Sequence, residues 1–248
     1  MLRTYSASLE VLEIDLLDWW DAQWNWCANK NDLQLWIKDH NFFRGSVLEL
    51  PSGSTDLLFP SLKSLSLSNL HFDDASLEMA HAFNISRLHH LSLRNCPNTG
   101  SLLRKVVESG EPIKLRSLEL VVRLNRVGSP MGEMKEEDQI ASFLSSFQGL
   151  SSLRILVLHG NYVETPYRYW PSIFHHKTTL TKLVYHERVY GYNFMDSNIE
   201  LENDEVLELL TQMNLGCIGL CLSPKPPTVR HSIDSCNPSF TGKSESEN

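Results

Sequence analysis

Two stretches of the chain, LKSLSL at residues 62–67 and LHHLSL at residues 88–93, decide the fold. Both follow the pattern L-x-x-L-x-L, and further copies, some with aliphatic or aromatic substitutions, begin at Leu9, Leu115, Leu153 and Leu180. The six copies start 53, 26, 27, 38 and 27 residues apart. Such a period indicates one strand-bearing unit per copy, stacked so that the leucines form a continuous core. A weaker seventh copy begins at Leu215, and the 53-residue interval predicts one more copy between residues 30 and 50.

The 26- and 27-residue intervals fall inside the period of leucine-rich repeats, which is about 20–29 residues. Helix signals lie between the copies: Thr99 and Gly110 bound one apolar segment, and Ile140, Phe143 and Leu144 recur at helical spacing. The predicted fold class is therefore α/β, a leucine-rich-repeat solenoid. It is expected to form an open horseshoe arc with a parallel concave sheet and with helices and irregular loops on the convex side.

The chain divides into two predicted regions. Residues 1–222 form the solenoid, with about six to eight irregular repeats. Residues 223–248 are rich in Ser, Pro and Glu and are predicted to be a disordered tail.

Composition narrows the classes of partner and compartment. Asp plus Glu is 30 against 22 for Lys plus Arg, and the resulting net charge of −8 disfavours nucleic acid as the partner. No run approaches the roughly 20 apolar residues of a membrane span. Five cysteines, an odd number, suit a reducing compartment, so a cytoplasmic or nuclear location is expected. The acids concentrate in residues 10–21, 133–138 and 196–208, which leaves a basic patch on the middle repeats and favours a protein partner with an acidic patch.

The alternation of strand side chains predicts the binding surface. Within each copy the second and third leucines point inward, so the third, fifth and seventh positions line the concave face. The predicted partner-binding residues are Ser64, Ser66, Ser68, His90, Ser92, Arg94, Glu119, Ile155, Val157, His159, Lys182, Val184 and His186.

The segment LHHLSLRNCPNTGSLLRKVVESGEPIKLRSLEL from Leu88 looks like a cysteine-containing leucine-rich repeat. The preceding FPSLKSLSLSNL resembles the repeat region of filamentous-fungal F-box proteins, and the resemblance covers roughly residues 9–222. In that family an N-terminal F-box docks the adaptor of a cullin-type ubiquitin ligase, and the repeats hold the substrate. Here the first copy begins at Leu9, which leaves no room for an F-box with its early Leu-Pro. The resemblance therefore implies partner binding, and a cullin-ligase adaptor as partner only if an F-box is encoded upstream.

Local motifs for catalysis are absent from the sequence. There is no G-x-S-x-G, G-x-G-x-x-G or P-loop, so no cofactor is predicted. The pairs His89–His90 and His175–His176 lack partners at a metal-ligand spacing, so no metal site is predicted. The predicted function is a non-catalytic module that binds a protein or peptide on the concave face. The resemblance further implies that this module is the substrate-recognition part of an SCF-type ubiquitin ligase receptor that lacks its F-box here. The alternative is an enzyme or metal-binding protein whose site is assembled across repeats.

Overall fold

The computed structural model of the protein describes residues 6–15, 42–70, 72, 75–124, 135–159, 169–189, 197–198 and 210–220. The strands in these ranges are β1 (Val11–Asp15), β2 (Ser64–Ser68), β3 (His90–Arg94), β4 (Ser117–Leu124), β5 (Ser152–His159), β6 (Lys182–Val189), β7 (Ser197–Asn198) and β8 (Cys217–Leu220). The α-helices are α1 (Ser76–Ala82), α2 (Thr99–Glu108), α3 (Glu136–Ser145) and α4 (Trp170–Phe174). Helical turns of other types lie at Ser6–Ser8, Phe42–Val47 and Ile85–Arg87. The predicted tail at 223–248 lies outside the described residues.

The described strands form one sheet in which β1 to β6 follow the order of the chain. Each of these strands pairs in parallel with the next, and β8 pairs in parallel with β6. Only the two-residue β7 pairs antiparallel, so seven of the eight described strands are parallel. The predicted α/β class with a parallel sheet is confirmed.

The second leucine of each motif aligns with its counterpart on the next strand. Leu65 pairs with Leu91, Leu91 with Leu118, and Leu118 with Leu153. The column continues through Leu183 to Ile218, so the weak seventh copy supplies strand β8. Because equivalent residues pair along the sheet, the buried leucines form one continuous apolar layer.

The described part of the long interval between the first two copies contains no strand. Leu12 of β1 pairs directly with Leu65 of β2, and the predicted extra copy between residues 30 and 50 falls largely on residues 30–41, which lie outside the described residues. The described part of this connection instead covers the core, with Leu48 and Leu50 buried.

A half-buried ion pair holds this connection to the first helix. Arg44 Nη1 lies 3.2 Å from Glu78 Oε1, and the backbone N–H of Gly53 donates to the same oxygen at 2.7 Å. Although burial raises the pKa of Glu78, these hydrogen bonds outweigh it, so the pKa lies below its usual range. Glu78 is therefore a charged anchor on α1.

The core lies between the sheet and the helices. The helices α1 to α4 pack side by side in chain order. Their buried side chains meet the inward strand leucines; in α3 these are Ile140, Phe143 and Leu144, the predicted apolar positions. Fully burying one such side chain stabilises the fold by about 1.5–3 kcal/mol. After α2 the chain turns at Gly110 with φ +68°, a left-handed backbone conformation that glycine adopts without strain and that agrees with the predicted helix end.

Two asparagines end neighbouring strands in the same way. Asn69 and Asn95 follow β2 and β3 with φ of 60° and 53°, a left-handed conformation that asparagine tolerates better than most residues. The side-chain amide of Asn95 donates to Asn69 Oδ1 at 2.6 Å, and the amide of Asn69 donates to Asp15 Oδ1 at 3.2 Å. Beside them Cys96 is buried, and burial raises the pKa of its thiol to about 12. Cys96 is thus a structural thiol.

Candidate functional site

The sheet side opposite the hydrophobic core carries a second set of strand side chains, here called the outer face. Because side chains alternate along a strand, these positions lie between the buried leucines. The outer face consists of Val11, Glu13, Asp15, Ser64, Ser66, Ser68, His90, Ser92, Arg94, Ser117, Glu119, Val121, Arg123, Ser152, Arg154, Leu156, Leu158, Lys182, Val184, His186, Arg188, Cys217 and Gly219.

Most of the predicted binding residues lie on this face. Those that are exposed or half-buried are Ser64, Ser66, His90, Ser92, Arg94, Glu119, Lys182, Val184 and His186. Ser68 differs, because it is only 6% exposed between its register neighbours Asp15 and Arg94, whose longer side chains flank it. The prediction that Ser68 contacts a partner is therefore wrong.

Two predicted binding residues of β5 belong to the core. Ile155 is 1% exposed and Val157 is 0% exposed, so neither can contact a partner. The cause is the frame of the motif: the copy begins at Leu150 rather than Leu153, because Leu153 pairs with Leu118 and Ile155 with Leu120. A shift by an odd number of residues moves every side chain of a strand to the opposite face. The side chain of His159, the third predicted residue in this strand, lies outside the described set.

With the motif beginning at Leu150, the outer face contains Arg154, Leu156 and Leu158. These three residues were not predicted from the sequence. Arg123 and Arg188 lie beside Leu158 on the neighbouring strands. A sequence signal for the correct frame exists. The copies KSLSL, HHLSL and RSLEL share two polar residues before the central leucine and one after it, and SSLRI at residues 151–155 continues this pattern. The competing frame, RILVL at 154–158, does not.

Glu119 is the centre of a charge cluster on the outer face. Its Oε2 accepts hydrogen bonds from Arg94 Nη2 at 2.8 Å and from Ser92 Oγ at 3.1 Å. Its Oε1 lies 3.4 Å from Arg154 Nη1. Burial raises the pKa of Glu119, but the hydrogen bonds and the two arginines lower it by more. The pKa therefore lies below its usual value, and the carboxylate is charged at neutral pH. One carboxylate thus orients two guanidinium groups from flanking strands.

A basic–apolar patch adjoins this cluster. It consists of Arg94, Val121, Arg123, Arg154, Leu156, Leu158, His186 and Arg188, which lie on β3 to β6. Desolvation, followed by the nearby Arg188 and Arg154, lowers the pKa of His186. The imidazole is therefore neutral at pH 7, and the positive charge of the patch comes from its arginines.

The opposite end of the outer face is acidic. Glu13 and Asp15 are exposed on β1, next to Val11, which is 63% exposed. The hydrogen bond to Glu119, followed by the charges of Glu119, Glu13 and Asp15, raises the pKa of Arg94. The outer face therefore changes from acidic through a run of serines to basic and apolar along the order of the strands.

Besides the outer face, the described residues could offer a metal-binding group or a cavity on the helix side of the sheet. No group of three His, Cys, Asp or Glu side chains in the described segments is placed to hold a metal ion. A cavity of about 280 Å³ lies on the helix side between α1 and α2 and is lined in part by His81, Asn84, Arg87 and Lys105. The Lys105 ammonium is already bound to Glu108 at 2.7 Å. The outer face is thus the more developed candidate site.

No protein-family model, curated protein or solved structure matches the chain. A search of the described helices finds none with the length and apolar character needed to cross a bilayer.

Proposed function

We propose that the chain is a leucine-rich-repeat solenoid. The support is the repeated unit: strands β1 to β6 and β8 each carry one motif, and each pairs in parallel with the equivalent residues of its neighbour. With the corrected frame, the copies at Leu62, Leu88, Leu115, Leu150 and Leu180 start 26, 27, 35 and 30 residues apart. A unit of this size buries its leucines only by stacking on its neighbours.

The proposed function is non-catalytic binding of a protein or peptide on the outer face. The observation that carries it is the graded outer face itself, whose basic end combines arginines with the half-buried aliphatic side chains Leu156 and Leu158. Contiguous exposed apolar side chains rimmed by polar ones mark many interaction sites, and protein-binding surfaces are enriched in arginine. A sheet face of several strands also offers the area that a stable interface needs.

Quantitative affinity purification tests this function. The double variant Arg154→Glu/Arg188→Glu changes the outer face, and Arg104→Glu changes a half-exposed cation of α2 on the helix side. We expect the proteins recovered with the unmodified chain to be lost by the double variant and retained by Arg104→Glu, while circular dichroism shows the same folded spectrum for all three. If both variants recover the same proteins in the same amounts as the unmodified chain, binding occurs elsewhere and the outer face is rejected as the binding surface.

The resemblance to fungal F-box proteins extends the proposal to presentation of a substrate to a cullin-type ubiquitin ligase. In that role the outer face holds the substrate, and an F-box supplies the adaptor contact. Co-purification with the adaptor and cullin should then occur with a version carrying the residues encoded upstream of Met1 and not with the 248-residue chain alone. If neither version recovers the adaptor, the ligase role is rejected, and the binding role is unaffected.

A further inference from the structure

The centre of the basic–apolar patch has a defined layout on β4, β5 and β6. In one row across the sheet Arg123 pairs with Leu158 and Leu158 with Arg188, so a leucine lies between two arginines. In the adjacent row Leu156 lies between Val121 and His186. Strands are spaced by about 4.8 Å and same-face residues by about 6.6 Å, so the three aliphatic side chains adjoin one another and the arginines surround them.

The charge of the patch is only partly compensated by the described residues. Arg94 and Arg154 share the carboxylate of Glu119. Arg123 and Arg188 have no ion pair within the described part of the chain, and Arg188 Nε is buried without a hydrogen-bond partner. Arg154 remains 63% exposed even in its contact with Glu119. The patch thus presents guanidinium donors that an incoming carboxylate can satisfy.

We infer that the patch binds an extended acidic peptide in which carboxylates flank an aliphatic residue at alternate positions. The inference rests on the proposed function and specifies the chemistry of the partner. Alternate side chains of an extended peptide project to the same side, about 6.6 Å apart, which matches the step along β5 from Leu158 to Leu156 and from Leu156 to Arg154. Arg123 and Arg188 lie about 4.8 Å to either side of Leu158, within reach of the same peptide. Carboxylates bind arginine in bidentate pairs, and the aliphatic residue covers Leu156 and Leu158, which strengthens those pairs by excluding water.

Nucleic acid fits the same patch less well. The described outer face carries no Phe, Tyr or Trp on which a base could stack. A carboxylate, Glu119, lies within the guanidinium cluster and would repel a phosphate. The net charge of −8 opposes the approach of a polyanion as well.

The test is selection from a phage-displayed library of random heptapeptides on the whole chain, followed by fluorescence anisotropy with the enriched peptides. The variant Leu156→Ser/Arg188→Ser alters the patch. A matched control, Val11→Ser/Glu13→Ser, alters the acidic end of the same face. A labelled single-stranded oligonucleotide is the competing probe.

We expect enriched peptides to alternate acidic and aliphatic residues. The patch variant should weaken their binding at least about tenfold, equivalent to about 1.4 kcal/mol, and the acidic-end variant should leave it unchanged. Three results overturn the inference: no enrichment, enriched peptides of another composition, or an oligonucleotide that binds the patch more tightly than the peptides. If peptides of another composition are enriched and either the patch variant or the acidic-end variant abolishes their binding, the result would still support binding on the outer face. Enriched peptides insensitive to both variants would count against the proposed function as well.

Discussion

Two adjacent residues of β5 place their side chains on opposite sides of the sheet, one in the core and one on the outer face. Val157 is fully buried, whereas Leu156 is half-buried on the opposite side of the sheet. Val157→Asp places an unpaired carboxylate in the apolar layer and should lower the free energy of unfolding by more than about 3 kcal/mol. Leu156→Asp keeps its carboxylate in contact with water and should change that free energy by less than about 1 kcal/mol.

Urea unfolding followed by circular dichroism measures both values. The pair is its own control, because the same carboxylate is introduced one residue apart. A larger loss for Leu156→Asp would show that the motif begins at Leu153 after all, and it would remove Leu156 and Leu158 from the proposed binding surface.

A buried histidine makes stability depend on pH. His176 is 1% exposed, and its Nε2 lies 2.8 Å from the carbonyl oxygen of Leu144. Its Nδ1 is buried without a hydrogen-bond partner, and burial lowers the pKa of the imidazole below its usual value of 6.5. As the pH falls below 6.5 the unfolded chain therefore takes up a proton that the folded chain does not. The free energy of unfolding should fall from that pH downward, until the lowered pKa of the folded state is reached.

His176→Gln keeps an amide donor near Leu144 and removes the titrating ring. Urea unfolding at pH 7.5 and at pH about 5.5 should then show a smaller loss of stability on acidification than in the unmodified chain. His175→Gln removes only the weaker Coulomb effect of the neighbouring imidazole on the pKa of His176, so this variant should retain most of the loss. An identical pH dependence in all three proteins would contradict a neutral, buried His176.

The contact between helices α2 and α3 depends on a glycine. A Cβ at Gly100 would lie 2.5 Å from Gln139 Oε1 and 2.9 Å from the backbone carbonyl oxygen of Glu136. Alanine favours a helix over glycine by up to about 1 kcal/mol, but the backbone oxygen cannot move aside without shifting α3. Gly100→Ala should therefore destabilise the protein by about 1–2 kcal/mol.

Thermal and urea unfolding measure this cost against Gly45→Ala. Gly45 lies in a helical turn and a Cβ there would contact nothing within 4 Å, so the same substitution should be neutral or slightly stabilising. A stabilising effect of Gly100→Ala would mean that α2 and α3 are farther apart than the structure has them.

At the level of elements, the local sequence pattern could predict where the strands lie. It could not predict for every strand which residues face the core. The copies in β2, β3 and β4 alternate strictly between leucine and polar residues, which fixes the face of each side chain. In β5 the run LRILVL is apolar on both faces, so two frames fit, and the leucine pattern alone selects the wrong one. Pairing with β4 decides, because it aligns Leu153 with Leu118.

The charge cluster was beyond prediction for a different reason. Arg94, Glu119 and Arg154 are 25 and 35 residues apart, and they meet only because strand register brings them to neighbouring positions. The sequence did indicate Arg94 and Glu119 as outer-face residues, since alternation from a leucine is local. The position of Arg154 required the frame of β5, and its contact with Glu119 required the register as well.

For the whole molecule, the proposed solenoid, in which each unit contacts only its neighbours, implies that stability is unevenly distributed. Ile155 lies in the interior of the sheet and is 1% exposed, whereas Ile218 lies on β8, pairs with β6 alone among the described strands, and is 50% exposed. Ile155→Ala should lower the free energy of unfolding by about 2–5 kcal/mol, because it removes buried methyl groups and leaves a cavity between the sheet and the helices. Ile218→Ala should cost less than about 1 kcal/mol.

Hydrogen exchange of the unmodified chain provides the second measurement of this gradient. In a nearest-neighbour stack, the amides of β3 to β5 should exchange only with global unfolding, and those of β8 should exchange through local opening. Equal costs for the two alanine substitutions, together with uniform protection, would contradict the gradient and indicate that further chain covers β8. The unequal result would instead leave the basic–apolar patch on the most stable strands, where its arginines are held in place before any partner arrives.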